Sequence, residues 1–107
     1  MSHPEEVRTI KINTREREVE GYLVKKIEGM GLKCMKFIPD LLNGMPDRVI
    51  LLGEERVRWV ELKTTGGELS ELQKLRHDQL RRAGHVVEVV WTKAQVDELC
   101  DRLRAEM

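Results

Sequence analysis

The spacing of apolar and polar positions switches between two periods along this chain, and the switches mark its elements. From Thr14 to Met30 the residues Val19, Leu23, Ile27 and Met30 recur at three- and four-residue steps, the stripe of an amphipathic helix. Asn13 or Thr14 suits its cap, and Gly31 stands where a helix would stop. Leu32–Pro39 alternates in part and predicts a first strand. Val49–Leu52 and Val57–Leu62 are apolar runs joined by Gly53-Glu54-Glu55-Arg56, the pattern of a β-hairpin. Ser70-Glu71-Leu72-Gln73 opens a second helix with a capping box. Leu69, Leu72, Leu75, Leu80 and Ala83 form its expected packing stripe, and Gly84 ends it. Val86–Trp91 is a continuous apolar run, hence a buried strand, and a helical crossover should set it parallel to the third strand. Thr92-Lys93-Ala94-Gln95 opens a last helix, with Val96, Leu99, Cys100 and Leu103 inside and Asp97, Glu98, Asp101 and Glu106 outside.

The implied order is helix, three strands, helix, strand, helix: an α/β sandwich around a mixed sheet, one domain over residues 14–107. Residues 1–13 read as a lead-in arm. Within it Thr9 and Lys11 alternate with Ile10 and Ile12, so a short extra strand and a loose arm are both open.

The hairpin carries the candidate chemistry. Pro46-Asp47 precedes its first strand, and Glu61-Leu62-Lys63 closes its second, with thirteen residues between Asp47 and Glu61. A hairpin returns the end of one strand to the start of the other, which would set Asp47 beside Glu61. Glu61 and Lys63 share a strand face, as does Trp59, while Val60 and Leu62 point the other way. Two carboxylates suit Mg²⁺, which takes one or two of them and completes its shell with water and phosphate oxygens. A nearby ammonium can hold a water and offset charge growing on a phosphate. Against this stands the ordinary alternative, charges at strand ends that face solvent or form weak ion pairs.

Composition narrows the setting. With 107 residues, 40% hydrophobic and 36% charged, the chain is one small globular domain whose thin core would gain from dimerisation. The opening MSHPEEVRTI is polar and does not read as a signal peptide, and no apolar run is long enough to span a membrane. Cys34 and Cys100 sit in apolar patterns without metal-ligand spacing and read as buried hydrophobes in a reducing compartment; His3, His77 and His85 show no ligand spacing either. Nineteen basic residues balance nineteen acidic ones, which excludes a uniformly basic nucleic-acid coat but leaves room for a local basic surface. Lys74, Arg76, His77, Arg81 and Arg82 on the outside of the second helix are the candidate contact with a DNA backbone. Arg48 is open as a surface charge or a phosphate contact, and Trp59 as core or as a base-stacking platform.

The runs GMPDRVILL, VRWVELK and TTGGELSELQKLRHDQLRRAGHVVEVV resemble the virus-type replication-repair nuclease (VRR-NUC) domain, a member of the PD-(D/E)XK nucleases, over about residues 16–103. The resemblance implies the restriction-endonuclease-like core with its mixed four-stranded sheet. It implies a Mg²⁺- or Mn²⁺-dependent deoxyribonuclease leaving a 5′-phosphate and a 3′-hydroxyl. Asp47, Glu61 and the Leu62 carbonyl would hold the metal. Glu20 of the first helix would complete the acidic cluster, directly or through water, with Glu16 in reserve. Lys63 would orient the attacking water and Gln73 steady the water or the phosphate, in competition with the capping role of Gln73. Stand-alone members resemble junction resolvases of phage and bacteria, which implies an intracellular, cytoplasmic setting, DNA repair, and a homodimer cutting Holliday junctions at two symmetric sites. A nuclease for flaps or linear ends, and a non-catalytic DNA-binding module, are the alternatives.

Overall fold

The computed structural model describes residues 4–37 and 43–107, of which 4–14 by backbone alone. Its elements are α1 (Pro4–Gly29), β1 (Lys33–Lys36), β2 (Arg48–Gly53), β3 (Arg56–Leu62), α2 (Glu71–Arg82), β4 (Val86–Val90) and α3 (Lys93–Glu106). The order is the one the sequence implies. The sheet runs β1-β2-β3-β4, with the first two pairings antiparallel and β3–β4 parallel.

One correction falls at the N-terminus. Residues 8–13 are helical within α1, so the alternation of Ile10 and Ile12 does not mark a strand, and Asn13 and Thr14 lie inside the helix. Pro4 sits at its first position, where its fixed φ fits and its missing N–H would have no partner. The expected strand end at Ile38-Pro39 and residues 40–42 of the loop Asp40–Met45 fall outside the described residues.

The core lies on one face of the sheet. Val19, Leu23 and Ile27 from α1 and Val96, Leu99, Cys100 and Leu103 from α3 close over Cys34, Ile50, Val60, Leu62 and Val90. Both cysteines are free and buried, and burial pushes the Cys34 thiol up to about 11, so it behaves as an apolar side chain. At the edge of this layer Arg58 is buried between carboxylates, Nη1 donating to Glu88 at 3.0 Å and Nη2 to Glu106 at 2.7 Å. A buried guanidinium is tolerable only with such partners.

The hairpin turns at Glu54-Glu55, whose φ angles of 53° and 62° are both positive, as the tight turns matching strand twist require. α2 covers the opposite face near β4. Its capping box forms as expected, with Ser70 and Gln73 exchanging bonds. Its packing stripe does not: Leu72 and Leu75 are exposed at 39% and 48%, and His77 is the buried residue of the helix. The inward side runs instead through Gln73, His77 and Leu80, at steps of four and three.

Two glycines shape the approach to α2. Gly44 has φ 86°, and a Cβ there would meet the Leu72 carbonyl oxygen at 2.8 Å and Arg76 Cγ at 2.9 Å. Only glycine lets the 43–44 turn lie against the helix. Gly67 closes a turn by donating to Thr64 O at 2.8 Å, and its carbonyl accepts from Trp91 Nε1 at 3.0 Å. The Thr64–Glu68 link is therefore pinned to the end of β4.

Candidate active site

The start of β2 and the end of β3 meet at one corner of the sheet. Arg48 pairs with Val60, and one further step of that register sets Asp47 across from Glu61. Asp47 Oδ2 accepts from the Leu62 N–H at 2.8 Å, and the Asp47 carbonyl accepts from the Phe37 N–H at 2.8 Å. These two bonds lock the residue after the buried Pro46 between the end of β3 and the end of β1. A strand residue sends its N–H and C=O to the same side, so the Leu62 carbonyl leaves β3 toward Asp47 as well. The next residue points the other way, and the Lys63 N–H goes to Val90 O at 3.0 Å.

Glu61 is 2% exposed and lies within hydrogen-bonding reach of the Asp47 carboxyl. From α2, Gln73 Nε2 donates to Glu61 Oε2 at 3.2 Å, and His77 Nε2 lies 3.3 Å from Oε1. Burial, then the charge of Asp47 and the shared hydrogen bond, push the Glu61 carboxyl up to about 8, although Lys63 pulls it down. Burial and the neighbouring Arg81 lower the His77 imidazole. Without a cation, then, the His77–Glu61 contact joins two groups driven toward neutrality; it is a hydrogen bond and not an ion pair.

The two carboxylates of α1 part company. Glu16 is half-buried and its carboxyl is raised, by burial first and then by the charge of Asp47, with Lys63 acting the other way. It therefore shares the electrostatics of the Asp47–Glu61–Lys63 corner. Glu20 Oε2 accepts from Lys36 Nζ at 2.7 Å and from Arg48 Nε at 2.8 Å. Burial alone would raise its pKa, but these two hydrogen bonds hold it below the usual range. Lys36 and Arg48 are register partners on neighbouring strands, so together they form a clamp facing α1. Arg48 is thereby neither a free surface charge nor open to phosphate.

Gln73 caps its helix and also reaches Glu61. Its Oε1 accepts from the Ser70 N–H at 2.9 Å while its Nε2 reaches Glu61, so the capping box aims the amide at the site. His77 is a correction. At 0% exposure it cannot touch a DNA backbone, because the inward face of α2 is one step away from its leucine stripe. Arg76 donates to the Asn43 carbonyl and to Gln79, and Arg81 donates to Val87 O at 2.9 Å. Lys74 is exposed, 3.6 Å from Glu71. Trp59 is half-buried, edge-on to Phe37 at 5.5 Å and donating to His85 Nδ1 at 3.3 Å; it packs as part of the sheet. The signal for His77 lay in the Gln73–His77 spacing of four, which puts both on one face of a helix.

Among the described residues, no group of three or more His, Cys, Asp or Glu side chains stands in a metal-holding arrangement. The pair Asp47–Glu61 is nevertheless the donor set that Mg²⁺ or Mn²⁺ takes: two adjacent hard-oxygen groups, one of which keeps its proton near neutral pH when no cation neutralises them. The residues fit the ion.

Comparison with known proteins gives the family. Residues 7–94 match the family model of the VRR-NUC domain. The chain is similar to "Putative nuclease p44" of Acyrthosiphon pisum secondary endosymbiont phage 1, 32% identical over 76 residues that span 71% of this chain and 82% of the phage protein. It is similar also to a solved VRR-NUC domain, with a TM-score of 0.75 and 27% identity, over 81% of this chain and 95% of that structure. The chain belongs to the VRR-NUC domain family.

Proposed function

We propose that this protein is a divalent-metal-dependent DNA endonuclease that cuts branched DNA, with the Holliday junction as its substrate, and works as a homodimer. The observation that carries the catalytic reading is the Asp47–Glu61 pair, two carboxyls in hydrogen-bonding reach at a buried sheet corner beside Lys63. The family and the name of the phage relative support nuclease chemistry. A junction has near two-fold symmetry, which a C₂ dimer with two sites would match.

Asp47, Glu61 and the Leu62 carbonyl would hold Mg²⁺ or Mn²⁺. The cation, when bound, supplies Lewis-acid polarisation of the phosphate and acidifies the attacking water. Lys63 holds that water and offsets charge building on the phosphate oxygens. Gln73 fixes Glu61 from α2 and borders the water's position. Cleavage breaks the bond from phosphorus to the 3′-oxygen, leaving a 5′-phosphate and a 3′-hydroxyl. For the third carboxylate, the shared electrostatics of Glu16 with Asp47 and Lys63 favour Glu16, while Glu20 anchors α1 to the strand clamp. Lys74 and the exposed charges of α2 are the remaining candidates for backbone contact.

The test is a panel of labelled four-way junction, flap and linear duplex, each with Mg²⁺ and with chelator, using wild type, Glu16→Gln and Glu20→Gln, with sizing of the protein. The expected result is Mg²⁺-dependent cutting with preference for the junction, by a dimer, and a larger loss from Glu16→Gln than from Glu20→Gln. No preference for the junction removes the resolvase reading, and no cutting of any substrate with Mg²⁺ or Mn²⁺ removes the enzyme.

A further inference from the structure

α2 has twelve residues, and its buried one is a histidine. Packing alone does not account for it. His77 is 0% exposed, and its Nδ1 has no hydrogen-bond partner among the described residues. Burying a polar atom without a partner costs about 1–3 kcal/mol, and an apolar side chain of similar volume would fill the space without that cost. The imidazole makes one polar contact, from Nε2 to Glu61 Oε1 at 3.3 Å.

Resting on the metal-site reading above, we propose that His77 is a positioning residue: its Nε2–H fixes Oε1 of Glu61 and so sets the orientation in which that carboxylate meets the cation. The tautomer follows from the partners. A neutral imidazole has one N–H to give, and once a cation ionises Glu61 the acceptor within reach is Oε1. A proton on Nδ1 would leave a buried donor unpaired and turn a lone pair toward a carboxylate. With Gln73 Nε2 on Oε2 at 3.2 Å, each oxygen of Glu61 takes one hydrogen bond from the same helix. The carboxylate plane is then held from α2, and each oxygen keeps a lone pair for a ligand bond. The spacing of four between Gln73 and His77 puts both donors on one side of the helix, and the Ser70–Gln73 capping box fixes the helix start that aims them. Partners of this kind behind a ligating group raise metal affinity by about 10–100-fold.

The experiment is calorimetric titration of Mn²⁺ into the wild-type protein and into His77→Leu, His77→Gln and His77→Asn, with thermal melts and junction cleavage alongside. Leucine fills the space with no donor. The glutamine amide reaches where Nε2 lies, and asparagine falls short of it. The expected result is Mn²⁺ dissociation constants raised about 10–100-fold in His77→Leu and His77→Asn and restored to within a few-fold of wild type in His77→Gln. The KM for junction DNA should stay near the wild-type value, because the residue touches no substrate. If His77→Leu binds Mn²⁺ as wild type does, or His77→Gln binds as weakly as His77→Asn, the proposal is overturned while the metal site stands. If His77→Leu does not fold, the comparison of glutamine with asparagine decides. Wild type that binds no Mn²⁺ overturns the metal-site reading itself, and this proposal with it.

Discussion

Glu61→Gln should abolish cleavage and, without metal, stabilise the fold at alkaline pH. The two effects have one cause. Glu61 is buried within hydrogen-bonding reach of Asp47, which holds its carboxyl near 8 in the folded protein against an ordinary value of 4.5. Between those values the native state binds a proton that the unfolded chain has released. That contribution to stability is complete below about 4.5, declines as pH rises through the window, and is gone above about 8. At pH 9 the metal-free wild type must carry two neighbouring carboxylates at a buried corner. Glutamine has the same shape and no charge, so the variant should melt higher than wild type at pH 9, with the gap closing toward pH 5. It should also lose one of the two charged ligands; polarisation by a catalytic metal contributes several kcal/mol, so cutting should fall by about 10³-fold or more. Melting curves at pH 5, 7 and 9, with cleavage rates beside them, check both halves. A variant that cuts within tenfold of wild type, or melts lower at pH 9, contradicts the assignment.

Lys63→Ala should separate cutting from binding. The ammonium bears on the charges of Glu16 and Glu61, and in the proposed mechanism it offsets the charge that grows on a bound phosphate. Removing one such donor costs about 10²–10³-fold in rate. Affinity for DNA is spread over many backbone contacts, so the loss of one lysine should change a metal-free gel shift only a few-fold. Lys63→Arg keeps the charge but not the compact ammonium, and a planar fork in a site shaped for a point charge should recover little. Equal losses of binding and rate in the alanine variant would assign Lys63 to substrate contact and leave the catalytic role empty.

How far the molecule was legible depended on what each residue reports about its surroundings. The stripes of α1 and α3 gave their buried faces directly, because Leu23, Ile27, Val96, Leu99 and Leu103 sit on an apolar core and nothing else. The hairpin was legible for the same reason, and with it the closeness of Asp47 and Glu61, since antiparallel pairing leaves no freedom in which strand ends meet. α2 was misread because its inward side is written in polar letters. Gln73 and His77 turn toward a carboxylate, while Leu72 and Leu75 face outward, so counting apolar positions chose the wrong side by about one residue step. Glu20 stood ahead of Glu16 on the resemblance alone, since four residues apart the two share a helix face. What parts them is the Lys36–Arg48 pair, which exists only once β1 and β2 are in register. The start of α1 was missed because Ile10 and Ile12 stand two apart, a strand spacing that the helix nonetheless accommodates.

The account rests on Asp47 and Glu61 gripping one divalent cation between them. Its most direct test is calorimetric titration of Mn²⁺ into the metal-free protein and into Asp47→Asn. Asparagine preserves the bond from the Leu62 N–H and removes the charged oxygen. The prediction is one Mn²⁺ per chain in the wild type and none detectable in Asp47→Asn at the same concentrations. The same stoichiometry and affinity in both proteins would contradict it.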